Sequence, residues 1–207
     1  LGLALAAAMA LSLAACGGGN SSTPAGSTPA GSTPASSTPA SSTPSATGAG
    51  TIVVGFAQVG HESDWRTAST KSAQDVFSAA NGYDLMFVDC DNDPAAQLEA
   101  VRNFIQQGVD YIIIDPIVAT GWDTVLTECD EAGIPVIVID RTVDDSDKYV
   151  AWVGSDFKVE GLACGEWLKA YAADKGISEI NALVIEGSVG ASATIGRTDG
   201  FKEIADR

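Results

Sequence analysis

The chain has 207 residues, 27 of them acidic and 11 basic, for a net charge of −16. Every charged residue lies between Thr51 and Arg207, which leaves an uncharged head of 50 residues and a remainder of 157. So acidic a remainder excludes a nucleic-acid partner, because binding a phosphate backbone draws its affinity from clustered Lys and Arg that displace counterions.

The head divides into two parts. Leu1 to Ala15 is a Leu- and Ala-rich run, about as long as the apolar core of a signal peptide and shorter than the roughly 20 residues that cross a bilayer. It ends in Leu13-Ala14-Ala15-Cys16, a lipobox-like sequence followed at once by Gly17-Gly18-Gly19-Asn20. Residues 1–16 therefore read as a lipoprotein signal peptide with Cys16 as the lipidation site. No Met and no basic segment precede Leu1, so the start is expected to be missing. Residues 17–50 are Gly, Ser, Thr, Pro, Ala and one Asn, with Pro24, Pro29, Pro34, Pro39 and Pro44 at a period of five. Such a repeat holds no apolar group large enough for a core and favours extended polyproline conformations. It is a tether, reaching at most about 100 Å at roughly 3.1 Å per residue. Its hydroxyls are candidate O-glycan acceptors.

From Thr51 onward, short β-branched runs alternate with helical periodicity. Residues 52–56, 85–88, 111–114 and 136–139 read as strands, apolar throughout as strands buried on both faces are. Asp93-Pro94 opens a helix as cap and first residue, Leu98, Val101 and Ile105 share its inner face, and Gly108 ends it. Trp122 to Ala132 repeats the plan, with Val125, Cys129 and Ala132 inward. This alternation predicts an α/β fold with a doubly wound parallel sheet and ligands at the carboxyl ends of its strands.

Those ends carry Glu62-Ser63-Asp64-Trp65-Arg66 after the first strand, Asp115-Pro116 and Thr120-Gly121-Trp122 after the third, and Asp140-Arg141 after the fourth. An Asp-Arg step there serves either as a structural ion pair or as a polar clamp, and Trp65 either packs on the sheet or offers a platform. Sugar recognition uses such a set. An aromatic face packs on C–H bonds, and a planar guanidinium and a carboxylate make charge-assisted bonds to adjacent hydroxyls.

The sequence 54–60, Trp65-Arg66, the run 118–122, Asp140-Arg141, Gly190-Ala191-Ser192-Ala193 and Arg197 through Phe201 together resemble the sugar-binding proteins of ABC importers. These have the periplasmic-binding-protein type I fold, and the likeness is to the ribose and galactose group, most of all its galactofuranose-binding branch. The resemblance implies two doubly wound lobes joined by a hinge, closing on a monosaccharide and delivering it to a membrane permease, with no cofactor, no metal and no catalysis. It implies a monomer outside the cytoplasm, which the lipobox-like sequence would anchor by lipid at Cys16. Residue by residue it places Trp65, Arg66, Asp140, Arg141 and Arg197 at the sugar, with Glu62, Ser63 and Thr120 as weaker members. His61 stands where the pattern has a small residue. The first lobe is expected over 51–150 and the start of the second over 151–207, holding a strand near Ala151, a helix from 156 to 175, a strand from 182 to 186 and one more helix. The second lobe is then incomplete, and the piece alone is expected to bind sugar weakly or not at all.

Other sites fail on spacing. Asp89, Asp91 and Asp93 start like a calcium loop, but Pro94 stands where the turn needs Gly and Ala100 where it needs Glu. Gly187-Ser188-Val189-Gly190 lacks the Lys and Ser/Thr of a phosphate loop. His61 has no partner at triad or metal spacing. Cys129 and Cys164 read as core residues; one disulfide among Cys90, Cys129 and Cys164 stays open. Two rivals share the fold. A repressor's inducer domain needs a basic DNA-binding head in place of the lipobox, and the sensor of a receptor or chemotaxis system needs a later membrane helix.

Overall fold

The computed structural model describes residues 50–206; Cys16, the signal segment and the tether up to residue 49 lie outside the described residues. Five strands form one parallel sheet: β1 (Ile52–Gln58), β2 (Tyr83–Asp89), β3 (Tyr111–Ile114), β4 (Val136–Asp140) and β5 (Ala151–Gly154), in the order β2-β1-β3-β4-β5. Five helices accompany them: α1 (Asp64–Val76), α2 (Pro94–Gln107), α3 (Asp123–Glu131), α4 (Phe157–Lys175) and α5 (Ser192–Ala205). Among the described residues no helix is long and apolar enough to cross a membrane.

Strand alternation sorts the core into two faces. Ala57, Ile112, Ile114, Val136 and Val138 point to one side, where Val101 and Phe104 of α2 and Val125, Leu126 and Cys129 of α3 cover them. Val54, Phe56 and Ile113 point to the other, against Ala73 and Phe77 at the end of α1. The register of β1 on β2 runs from Ile52 opposite Tyr83 to Gln58 opposite Asp89, so both strands deliver their ends to the same edge. Gly55 is obligatory in this packing. A Cβ there would lie 2.5 Å from the Phe104 ring, a distance real side chains do not tolerate.

The helix boundaries follow local chemistry. Asp93 accepts from the N–H groups of Ala95 and Ala96, Pro94 starts α2, and Gly108 closes it in the left-handed conformation at φ 66°. Asp156 and Gly176 do the same for α4. The inner face of α2 centres on Gln97, Ala100, Val101 and Phe104, with Leu98 and Ile105 at its margins. α4 and α5 pack against each other at glycines. A Cβ on Gly161 would strike the Arg197 carbonyl and one on Gly200 the Lys158 carbonyl, so only bare backbone permits this approach.

Four expectations need correction. The strand at Ala151 does not open a second lobe; β5 pairs in parallel with β4, Ala151 opposite Ile137 through Gly154 opposite Asp140. Residues 182–186 form no strand, and Leu183 and Ile185 are about nine-tenths exposed. A strand needs a neighbour to satisfy its backbone groups, and all five strands among the described residues lie in the one sheet, of which residues 182–186 are not part. Ala132 is exposed just beyond α3, its inward place taken by Leu126. Cys164 is exposed on α4, whereas Cys90 and Cys129 are buried, and all three are free thiols.

Candidate ligand-binding cleft

The strand order reverses between β1 and β3: the chain runs outward from β1 to β2 and then returns to the other side of β1. At such a switch point the loops diverge and leave a crevice at the carboxyl ends. Here a cavity of about 330 Å³ is lined by Glu62, Ser63, Trp65 and Arg66 from the loop and helix after β1, Asp140 and Arg141 from the end of β4, Ser155 and Phe157 before and at the start of α4, and Ala193 and Arg197 of α5.

Ser63 caps α1, its hydroxyl accepting from the Arg66 N–H at 3.3 Å. That cap fixes the first turn and turns Arg66 inward, where its side chain is only 5% exposed. The guanidinium is held on three edges. Nε donates to Glu62 at 3.2 Å and Nη2 to Asp140 at 2.8 Å, while Nη1 donates to the Asp115 carboxylate beneath the wall. Asp140 ends β4 at φ 57°, a left-handed conformation that few residues other than Gly adopt and that clusters at functional sites. Arg141 turns the other way and donates to the carbonyls of Pro116 and Ile117 at 3.4 and 3.2 Å. Burial, then the nearby Arg66 charge, pulls Arg141 below the ordinary arginine value.

Asp115, at the end of β3, is fully buried, and burial pushes its carboxyl up to about 7 against the opposing pull of Arg66. Its Oδ1 has no hydrogen-bond partner among the described residues. Below it Gln97 ties two strand ends together, donating to the carbonyls of Ala57 and Asp115 and accepting from the Ile117 N–H. Trp65 stands 60% exposed at the rim, its ring 5.0 Å from the Arg66 Cζ. Arg197 enters from α5, paired with Glu160 at 2.8 Å and lying 4.7 Å over the Phe157 ring.

Seven of the eight residues picked from the sequence thus meet in one cavity. Thr120 does not; it is exposed and lines no part of it, and the backbone beyond it at Gly121 and Trp122 is held by Asp145. Trp122 is core, buried to 1% with its Nε1 on the Val118 carbonyl. Gln97, Ser155 and Phe157 were missed, and Asp115, noted at the end of the third strand, was not assigned to the site. His61 points away to Asp89 at 2.6 Å, and that hydrogen bond raises its pKa. Among the described residues no cluster of His, Cys, Asp and Glu is fit to hold a metal. A larger hollow of about 740 Å³ lies between α4, α5 and residues 180–187, shares Ala193 and Arg197 with the cleft, and is walled largely by Trp167, Leu168, Leu183 and Ile185.

A one-sheet α/β lobe with a polar, arginine-centred crevice at its switch point is the architecture of a small-molecule binding protein. The chain belongs to the family of the periplasmic binding protein domain, whose model matches residues 54–207, and it has the periplasmic-binding-protein type I fold. It is 42% identical over 157 residues to the galactofuranose-binding protein YtfQ of Escherichia coli, covering 75% of this chain and 48% of that protein. A Mycobacterium smegmatis protein crystallised with β-D-fucofuranose is 44% identical, with a TM-score of 0.70 over 75% of this chain and 51% of that one. The binding-protein component of an arabinose ABC transporter from Shewanella, bound to α- and β-L-arabinofuranose, is 41% identical with a TM-score of 0.66, covering 75% and 51%. The chain spans about half the length of these proteins.

Proposed function

We propose that this chain is the capturing half of an extracytoplasmic substrate-binding protein of an ABC importer, and that its ligand is a neutral monosaccharide delivered to a membrane permease. The observation that carries the reading is the convergence of Arg66, Arg141, Asp140 and Glu62 beside the exposed Trp65 ring in one cavity at the switch point. Fixed guanidiniums donate to adjacent hydroxyls, carboxylates accept from them, and the indole covers the apolar face of the ring. Arg197 reaches the ligand from the α5 side, and Ser63 contributes through the cap that sets Arg66. Relatives that bind galactofuranose, fucofuranose and arabinofuranose favour a five-membered ring form.

The protein in this reading is a binding protein and not an enzyme, uses no cofactor, works as a monomer, and is held to the outer face of the membrane by lipid on Cys16 and the tether of residues 17–50. The test is a thermal-shift screen of the protein as its gene encodes it, against pentoses and hexoses. One sugar stabilises it, and Arg141→Ala abolishes that shift. A screen in which no sugar raises the melting temperature refutes the reading.

A further inference from the structure

We infer that Asp115 is a positioning residue, fixing Arg66 from behind the cleft wall, and that the Glu62, Asp115 and Asp140 carboxylates take up a proton when a neutral sugar fills the cavity. Only the second half rests on the sugar-binding reading.

The geometry gives the first half. Arg66 is planar, and each of three edges meets a carboxylate from a different segment: Glu62 before α1, Asp115 after β3, Asp140 at the end of β4. Glu62 and Asp140 line the cavity and are 37% and 23% exposed, so water or a ligand competes for them; Asp115 is 0% exposed and nothing competes for it. A guanidinium gripped at its innermost edge by an inaccessible carboxylate presents its remaining N–H groups in one orientation. A neutral amide in that place would still accept from Nη1, whereas a methyl group would leave the edge loose.

Charge counting gives the second half. The groups that act on Asp115 are Arg66, Asp140, Arg141 and Glu62. Two cations thus face three carboxylates, an excess of one negative charge. Arg197 does not redress it, being paired with Glu160. The excess is tolerated while water reaches Glu62 and Asp140. A ligand that fills the cavity removes this water without bringing charge, and burying uncompensated charge is costly enough that the group protonates instead. The proton goes to the deepest carboxylate, Asp115, whose Oδ1 is the oxygen that no donor occupies. Burial already holds this carboxyl at about 7, so a modest further rise changes its state near neutral pH. By linkage, each tenfold weakening of the acid on binding makes the complex about tenfold tighter on the acid side.

Two experiments on the protein as its gene encodes it separate the halves. Without ligand, urea unfolding is followed at about pH 5 and about pH 8. Asp115 sits above its unfolded value, so the native state binds more protons between the two pKa values. Wild-type stability falls as pH rises through that window, and Asp115→Asn removes this part of the fall. Infrared spectra of the wild type, which do not depend on a variant folding, show a protonated carboxyl that disappears above about pH 7. With ligand, titration calorimetry uses D-galactose, D-fucose and L-arabinose in two buffers of different ionisation enthalpy. The wild type takes up a fraction of a proton on binding. Asp115→Ala weakens binding about tenfold or more, as expected for a lost charge-assisted contact; Asp115→Asn restores affinity and takes up no proton. Binding by Asp115→Ala equal to wild type overturns the positioning role. Binding without proton uptake, or uptake unchanged in Asp115→Asn, overturns the coupling while leaving the sugar reading intact. If none of the sugars binds while the ligand-free experiment behaves as stated, the sugar reading and the coupling fall, and Asp115 remains the buried group that holds Arg66.

Discussion

Replacing Arg66 by Met tests whether this residue holds the lobe together as well as facing the cleft. Methionine fills much of the same volume but leaves Asp115 buried without its hydrogen-bonded cation, with only Arg141 nearby, and frees Glu62 and Asp140. Removing one partner of a buried ion pair costs about 3–5 kcal/mol, a large part of the roughly 5–15 kcal/mol that a domain has. The cost depends on pH in a definite direction. Asp115 is raised from 3.8 to about 7, with Arg66 pulling the other way, so losing Arg66 raises it further. At about pH 6 the carboxyl is protonated in both proteins, whereas at about pH 8 the wild type ionises it and a variant with a tenfold weaker acid does so only by half, which adds about 1 kcal/mol to the loss there. Urea denaturation followed by circular dichroism at the two pH values measures both quantities. The variant is least stable, relative to wild type, at the higher pH. Combining Arg66→Met with Asp115→Leu removes both charges and recovers most of the loss, since apolar replacement of a buried pair is often neutral. A single-variant loss below about 1 kcal/mol, equal at both pH values, refutes the claim that Arg66 neutralises a buried carboxylate.

Gly55→Ala drives a methyl group into the Phe104 ring and costs about 1–3 kcal/mol by overpacking; with Phe104→Ala, which removes the Cγ and Cδ atoms it strikes, the double variant is more stable than the sum of the two single losses, and additive losses in urea titrations refute the contact. Thiol labelling distinguishes the cysteines. In protein carrying Cys16→Ser, Cys164 reacts at once in the native state, whereas Cys90 and Cys129, buried and pushed up to about 12 and about 11 by that burial, react only after unfolding. Immediate reaction of all three shows that the two buried thiols are accessible.

The sequence made the first four strands and the capped helices legible because their causes are local: β-branched runs, an Asp before Pro94, a Gly at 108 and 176. It misled where the cause is a distant neighbour. Ala182-Leu183-Val184-Ile185 has as strong a strand pattern as Ala151-Trp152-Val153-Gly154, yet only the second finds an edge, that of β4. The same distinction governs the cleft. Arg66 and Asp140-Arg141 stood out because charged residues end apolar strands, but whether an Arg serves as ion pair or clamp depends on which carboxylates reach it. Asp115 and Asp140 lie 49 and 74 positions from Arg66, and only the 2-1-3-4 strand order brings them together. With three edges spent on carboxylates, Arg66 is both structural and presented to the cavity, so the two readings were never exclusive. Thr120 shows the converse. Its place after a strand end suggested the cleft, but nearness to an edge does not fix the direction of a side chain. Asp140 reaches Arg66 through a left-handed φ that nothing in an Asp-Arg step announces. The residues whose direction is set by their neighbours' charge, and not by their own position along the chain, are therefore the ones that only the folded lobe identifies.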